Sequence, residues 1–160
     1  MQIVEMTKEM LDRYIDDDPV RPHLPTDFRI NHEFGRRAYC LVDVDLQTGM
    51  PEVKAIICIA NGFSIPTTEA ELSKIPYAEK PTQAFMVPYT IWSYGKGAGR
   101  TLLNGLLDNL KKEIKRTGQK SPRVVTMSPK TKLATKFHLS NGAKLISDNE
   151  ETDNFEYDVS

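Results

Sequence analysis

The fold of this chain is decided by one stretch of its sequence, Tyr94-Gly95-Lys96-Gly97-Ala98-Gly99-Arg100. The apolar segment Ala84 to Trp92 precedes it and predicts a β-strand. The segment after it predicts a long helix that ends at Gly118, behind a cluster of cations that suit the negative end of a helix dipole. The apolar residues of this helix fall on one face: Leu102, Leu103, Leu106, Leu107, Leu110 and Ile114. A glycine-rich turn therefore joins a strand directly to a helix.

Such a turn places several backbone N–H groups on one concave surface, which binds anionic oxygens. Glycine lets a diphosphate approach the backbone closely, and some of these positions are expected to need positive φ. The spacing excludes a Walker A loop, which needs four residues between its first glycine and a Gly-Lys-Ser/Thr ending. It also excludes the dinucleotide-binding Gly-x-Gly-x-x-Gly, because Gly95, Gly97 and Gly99 are evenly spaced.

The remaining interpretation is the diphosphate turn of acyl-CoA-binding proteins. The segment from Tyr94 to Gly99 resembles the turn of the GCN5-related N-acetyltransferase (GNAT) superfamily, commonly written Gln/Arg-x-x-Gly-x-Gly/Ala. Tyr94 stands where Gln or Arg is usual.

A second segment, Ala134-Thr135-Lys136-Phe137-His138-Leu139-Ser140-Asn141-Gly142-Ala143, is similar to the family's Asn-x-x-Ala-x-x-Phe-Tyr-x-x-x-Gly-Phe pattern. Its alanine, phenylalanine and glycine are in register. Thr131 replaces the Asn, His138 replaces the Tyr and Ala143 replaces the aromatic residue. The resemblance covers most of the chain from Arg37 to Val159.

The order of the predicted elements agrees with this resemblance. We expect an α/β (α+β) fold with a mixed, mostly antiparallel central sheet flanked by helices, the acyl-CoA N-acyltransferase fold, in a single domain over residues 1–160. Thr7 is the predicted N-cap of a first helix that extends to Ile15. The other predicted elements are a strand at Ile3–Met6, a hairpin of Arg37–Asp45 and Val53–Asn61, a strand at Val124–Met127, a helix at Thr131–Ser140, and strands at Lys144–Ile146 and Asn154–Val159.

The resemblance implies a cofactor, acetyl-CoA, and a site for it. The N–H groups of Gly95 to Arg100 would hold its diphosphate, while the main chain of Val87 to Tyr89 would pair with the pantetheine arm and donate to the oxyanion. The cofactor-binding residues expected in this way are Val87, Pro88, Tyr89, Gly95, Lys96, Gly97, Ala98, Gly99, Arg100 and Phe137. No metal is expected, because Cys40 and Cys58 lie in apolar runs without a metal or disulfide motif.

The activity that the resemblance implies is acetyl transfer to an amine by direct attack in a ternary complex. His138 is the candidate acid for the leaving thiolate, because an imidazolium is a stronger acid than a tyrosine hydroxyl. Tyr94 and Tyr89 are alternative hydroxyl donors. The base stays open among residues such as His32, Glu33 and Asp43. The replacements at positions 94 and 138 also fit a competing interpretation, a catalytically inactive acyl-CoA-binding or interaction module.

The amino-acid composition limits the kinds of partner that the chain is expected to bind. Lys plus Arg number 21 and Asp plus Glu number 22, so no global charge favours nucleic acid or a membrane surface. The basic stretch Lys111 to Lys136 lacks an aromatic platform, so nucleic-acid binding is not expected. No apolar run reaches the roughly 20 residues of a membrane helix, and a cytoplasmic protein is expected. The acceptor is expected to be a small-molecule or protein amine, bordered by the acidic segments Asp16–Asp18 and Asp148–Asp153; homodimer formation stays open.

Overall fold

A computed structural model describes residues 1–74 and 85–160 of the chain. The elements in these residues are β1 (Gln2–Glu5), α1 (Lys8–Asp12), α2 (Thr26–Arg29), β2 (Arg36–Val44), β3 (Pro51–Gly62), α3 (Glu69–Ser73), β4 (Phe85–Ser93), α4 (Ala98–Thr117), β5 (Arg123–Val125), β6 (Ser128–Pro129), α5 (Lys132–Ser140), β7 (Lys144–Asp148) and β8 (Thr152–Tyr157). Short 3₁₀ turns lie at Ile15–Asp17 and His32–Phe34.

One sheet contains all of these strands. Strands β1 to β5 follow one another across it, β5 and β6 both pair with β8, and β7 pairs with the other edge of β8. Every pair is antiparallel except β4 with β5. The predicted hairpin is confirmed as β2 and β3, and residues 56–60 of β3 are buried as expected for a central strand. The predicted fold class, a mostly antiparallel sheet flanked by helices, is confirmed.

Helices cover both faces of the sheet. The first face carries α1, α2 and the loop between them, which pack on one apolar cluster. The second face carries α4, whose buried Leu102, Leu103 and Leu107 pack on a second cluster together with Phe137 of α5. The predicted caps are confirmed: Thr7 Oγ1 accepts from the N–H of Met10 at 3.2 Å, and Gly118 ends α4 with φ of 68°.

Two predicted elements are shorter in the structure. The first helix ends at Asp12, because the chain tightens into the 3₁₀ turn at Ile15–Asp17 before Asp18 binds the following backbone. The strand predicted to reach Met127 ends at Val125, since the N–H of Met127 donates to the carbonyl of Pro88. The predicted start of β4, Ala84, lies outside the described residues.

A buried ion pair fastens the first loop to the sheet. Arg29 Nη1 lies 2.8 Å from Asp18 Oδ2, and both side chains are fully buried. Asp18 also accepts from the N–H groups of Val20 and Arg21, and from Thr90 Oγ1 on β4 at 3.0 Å. Burial alone would raise the pKa of Asp18, but these two N–H groups and the Arg29 guanidinium hold it below its ordinary value. The loop around residues 18–29 is therefore attached to β4 through one carboxylate.

Replacing Asp18 by Ala should lower the free energy of unfolding by about 3 to 5 kcal/mol, because it leaves the buried Arg29 guanidinium uncompensated. Urea denaturation at neutral pH measures this loss. Because the pKa of Asp18 is lowered in the folded state, the stabilisation should disappear only as the pH falls below about 4. The matched control is Asp16→Ala, an exposed carboxylate two residues earlier, which should change stability by about 0.5 kcal/mol or less. Equal losses in the two variants would contradict this role for Asp18.

Candidate functional site

A groove of about 640 Å³ opens where β4 and β5 diverge. The two strands pair in parallel only at Phe85 and Met86 of β4. Residues 88–94 line the length of the groove, and its two ends lie on opposite faces of the sheet. Asp17 and Val20 line the end on the first face, while Gly99 and Phe137 line the end on the second face. The groove therefore connects the two faces through the gap between the strands.

A β-bulge in β4 lies at the centre of the groove. Cys58 pairs with Thr90, but its neighbour Ile59 pairs with Pro88, so Tyr89 is an extra residue in β4. The bulge brings Tyr89 into the buried cluster of the first face and lets Thr90 reach Asp18 from the same strand. Bulges of this kind bend a strand and redirect side chains, and they are common beside functional sites.

Arg21 satisfies the backbone at the point of divergence. Its guanidinium donates through Nη1 to the carbonyl of Tyr89 and through Nη2 to the carbonyl of Met127, the latter at 3.2 Å. The side chain is almost fully buried, and its Nε lies 3.2 Å from a carboxylate oxygen of Glu69. Burial lowers the pKa of Arg21, and the charges of Glu69 and Asp18 limit that fall; an arginine stays protonated in either case. Sequence reasoning missed this residue, because nothing near it except Pro19 and Pro22 marks an unusual environment.

The glycine turn leaves a set of backbone donors free at the start of α4. The N–H of Ala98 donates to the carbonyl of Gly95. Among the described residues, no protein acceptor is bound to the N–H groups of Gly95, Lys96, Gly97, Gly99 and Arg100. These donors lie at the positive end of a helix of 20 residues. The predicted geometry, several unbonded N–H groups at the N-terminus of a long helix, is therefore present; helix N-termini of this form favour anionic ligands.

Two of the three glycines in the turn, Gly97 and Gly99, have different structural roles. Gly97 is the N-cap of α4 and has φ of 78°, so the expected positive φ is confirmed at this one of the three. A Cβ on Gly99 would lie 3.8 Å from side-chain atoms of Ile91, Ser93 and Phe137, at the wall of the groove. At Gly99 a methyl group would therefore fit, whereas a larger side chain would extend into the groove.

Tyr94 lies at the first-face end of the groove with its hydroxyl engaged. Trp92 Nε1 donates to the hydroxyl oxygen at 2.9 Å, and the hydroxyl donates to Asp17 Oδ2 at 2.7 Å. Burial raises the pKa of Tyr94 to about 12, so the hydroxyl stays protonated at neutral pH. Its proton is committed to Asp17 rather than free for a leaving group.

His138 lines the groove but is buried and neutral. Its Nδ1 lies 2.7 Å from the hydroxyl oxygen of Tyr157, and its ring stacks on Phe155 with centroids 5.1 Å apart. Burial lowers the pKa of His138 to about 4. The predicted acid, an imidazolium at this position, therefore has no support at neutral pH.

The structure brings only part of the predicted set together. Pro88, Tyr89, Tyr94, Gly99, Phe137 and His138 line the groove; Gly95, Lys96, Gly97, Ala98 and Arg100 form the turn beside it; Val87, His32, Glu33 and Asp43 do not line it. Val87 is a core residue of the first face. The acidic residues Asp148 and Asp153 bind Lys130 instead of bordering the groove.

Residues 1–74 and 85–160 contain neither a metal-binding cluster nor a helix that could cross a membrane. Cys40 and Cys58 are free thiols in the buried core. No cluster of three His, Cys, Asp or Glu side chains in this part of the chain could hold a metal ion. No described helix combines the length and the apolar character that crossing a membrane requires.

Comparison with known proteins identifies the fold. The sequence matches no family model and no curated protein. The structure is similar to Arabidopsis thaliana NAA60 in complex with acetyl-CoA, with a TM-score of 0.62, 12% identity, and coverage of 98% of this chain and 97% of that one. A structure from Desulfovibrio desulfuricans assigned to the GNAT family gives a TM-score of 0.61, 11% identity and 99% coverage of both chains. The chain has the GCN5-related N-acetyltransferase fold.

The GNAT fold also occurs in proteins that contact RNA. AtaT, complexed with acetyl-methionyl-tRNAfMet, is similar to this chain with a TM-score of 0.54, 16% identity, and coverage of 97% of this chain and 94% of that one. This likeness does not support the expectation, drawn from the composition, that nucleic acid is not a partner. The predicted acyl-CoA N-acyltransferase fold is confirmed.

The low pKa of His138 predicts a pH dependence of stability. Unfolding exposes an imidazole with an ordinary pKa of about 6.5, so between about pH 6.5 and pH 4 the unfolded state binds more protons than the folded state. The free energy of unfolding should therefore fall by up to about 3 kcal/mol across that interval. Urea denaturation at several pH values should show a flatter profile for His138→Gln than for the wild type. The same substitution at the exposed His32 controls for the loss of one histidine. Identical profiles for His138→Gln and the wild type would contradict the assignment.

Proposed function

We propose that the chain binds acetyl-CoA, or a related acyl-CoA, in the groove between β4 and β5 and transfers the acyl group to an amine. The observation that carries this proposal is the set of free N–H groups at the start of α4, placed at one end of a groove that crosses the sheet. The likeness to NAA60, whose structure contains acetyl-CoA, supports it.

The diphosphate binds at the glycine turn. The N–H groups of Lys96, Gly97, Gly99 and Arg100 are free to donate to it, and the dipole of α4 favours its negative charge. The side chains of Lys96 and Arg100 add two cations beside the turn. Gly99 borders the groove beside the turn, so a side chain larger than a methyl group there would take up space that the ligand needs.

The pantetheine arm pairs with the edge of β4 beyond the bulge. Pro88 has no N–H group, its carbonyl accepts from Met127, and the carbonyl of Tyr89 accepts from Arg21. The edge that divergence leaves open is therefore residues 90–93, which line the groove. This refines the segment that the family resemblance implied, Val87 to Tyr89, by moving the pairing toward the glycine turn.

Acyl-CoA supplies a thioester, whose carbonyl carbon is attacked by the amine while the bond to sulfur breaks. His138 is almost entirely neutral near pH 7, so it is a poor proton donor to the thiolate. The proton of Tyr94 is donated to Asp17. These two facts also favour the alternative, a module that binds acyl-CoA without transferring the acyl group.

Cofactor placement is tested at Gly99. Gly99→Leu should weaken acetyl-CoA binding by about tenfold or more, which corresponds to about 1.4 kcal/mol, because the side chain occupies the groove. Isothermal titration calorimetry measures the affinity. Gly99→Ala is the matched control, since its Cβ makes only ordinary contacts at 3.8 Å, and it should bind nearly as well as the wild type. Unchanged affinity in a folded Gly99→Leu variant would contradict the placement.

Transfer is tested by release of free thiol from acetyl-CoA. The acceptors to be offered are small amines, peptides with a free N-terminus and aminoacyl-tRNA, the last because a structure of AtaT is complexed with acetyl-methionyl-tRNAfMet. The proposal expects thiol release above the rate of hydrolysis with at least one acceptor class. Tight acetyl-CoA binding without release for any class would favour the non-catalytic module.

A further inference from the structure

The end of the groove on the first face has its own chemistry. Asp17 is the only carboxylate among the described residues that line the groove. The surfaces around it are apolar or aromatic: Pro19, Val20, Trp92 and the ring of Tyr94. This end lies on the face of the sheet that α1 and α2 cover, whereas α4 covers the other face, so a ligand that approaches here comes from the side away from α4.

The charge of Asp17 is not balanced within the described part of the protein. Its Oδ2 accepts from the hydroxyl of Tyr94 at 2.7 Å, which is neutral. Among the described residues, no Lys, Arg or His pairs with it, and its Oδ1 accepts no hydrogen bond. The adjacent Asp18 differs in both respects, because Arg29, Thr90 and two backbone N–H groups saturate it. Asp17 therefore has one carboxylate oxygen without a hydrogen bond, and no ion-pair partner, among the described residues.

The position of this carboxylate is fixed before any ligand binds. Its N–H donates to the carbonyl of Tyr14 at 3.0 Å within the 3₁₀ turn, and the next residue, Asp18, is anchored to β4 through Thr90. The Asp17 carboxylate is held by the hydroxyl of Tyr94. That hydroxyl accepts a hydrogen bond from Trp92 Nε1, and the ring centroids of Tyr94 and Tyr14 lie 5.9 Å apart. A carboxylate held from both ends loses little freedom on binding a cation.

The other charged groups of the groove define what else can bind. Arg21 is the only cation among the described lining residues, and it is bound to two carbonyls and close to Glu69. His138 is neutral because burial lowers its pKa to about 4. A second positive charge on a ligand would find no second carboxylate among the described residues of the groove, whereas an apolar body would contact the apolar wall around Val20 and Trp92.

We propose that the acceptor is a monocation with an apolar body, and that Asp17, oriented by Tyr94, binds its positively charged group. The assignment rests on the proposed function, because it names the acceptor of that same groove. Asp17 acts here as a binding residue for the protonated acceptor, whose nitrogen gives up one proton to solvent before it attacks the thioester carbonyl.

The test compares two probes of nearly equal shape, 2-phenylethylamine, which is charged, and 2-phenylethanol, which is not. Their affinities are measured by calorimetry or NMR titration with the protein saturated with coenzyme A. The wild type should prefer the amine by about tenfold or more, and the trication spermidine should bind no better than 2-phenylethylamine. Asp17→Asn should abolish the preference for the amine over the alcohol.

Two further variants separate this role from general electrostatics. Asp16→Asn removes an exposed carboxylate that does not line the groove, and it should keep the wild-type preference. Tyr94→Phe keeps the ring and removes the donor to Asp17, so it should reduce the preference by less than Asp17→Asn does. An undiminished preference in Asp17→Asn, or an equal loss in Asp16→Asn, would overturn the assignment.

The two proposals fail in different ways. A protein that binds coenzyme A but shows no preference for the amine contradicts only the assignment of Asp17. A protein that does not bind coenzyme A contradicts the proposed function and, with it, the acceptor.

Discussion

Buried backbone carbonyls need hydrogen-bond donors, and this requirement is most demanding where β4 and β5 stop pairing. The last backbone hydrogen bond between the two segments runs from the N–H of Met127 to the carbonyl of Pro88, and beyond it the carbonyls of Tyr89 and Met127 accept from a side chain instead. Arg21, in the loop between α1 and α2, donates hydrogen bonds to both carbonyls. The guanidinium can stay in this buried place because Glu69 lies beside it. The backbone beside the groove is thereby satisfied although the two strands no longer pair there.

The loop that delivers Arg21 also shapes the acceptor end. Asp18 holds the loop on β4 through Arg29 and Thr90, and the same anchor sets the position of Asp17 next to it. The opposite end of the groove depends on unsatisfied groups instead, the free N–H groups at the start of α4. One groove therefore presents N–H donors to an anion at one end and a carboxylate to a cation at the other.

Short sequence patterns predicted the helices, strands and turns, whereas the surroundings of the site residues depend on packing between distant segments. The leucine periodicity of α4, the glycine turn and the hairpin were predictable because each depends on a few neighbouring residues. The bulge at Tyr89 and the burial of Arg21 were not, since both depend on contacts between segments far apart in sequence. His138 occupies the predicted helix, but its low pKa comes from the β8 aromatics stacked around it, which no spacing reveals. The candidate cofactor end was thus predictable from sequence and the acceptor end was not.

The most direct test of the acyl-CoA site is the change in backbone amide NMR signals when coenzyme A is added. The account predicts the largest changes at the amides of residues 90–93 on β4 and of Lys96, Gly97, Gly99 and Arg100, with β7 at Lys144–Asp148 unaffected. Changes that spare the glycine turn and cluster elsewhere, such as on the lysines of α4, would contradict it.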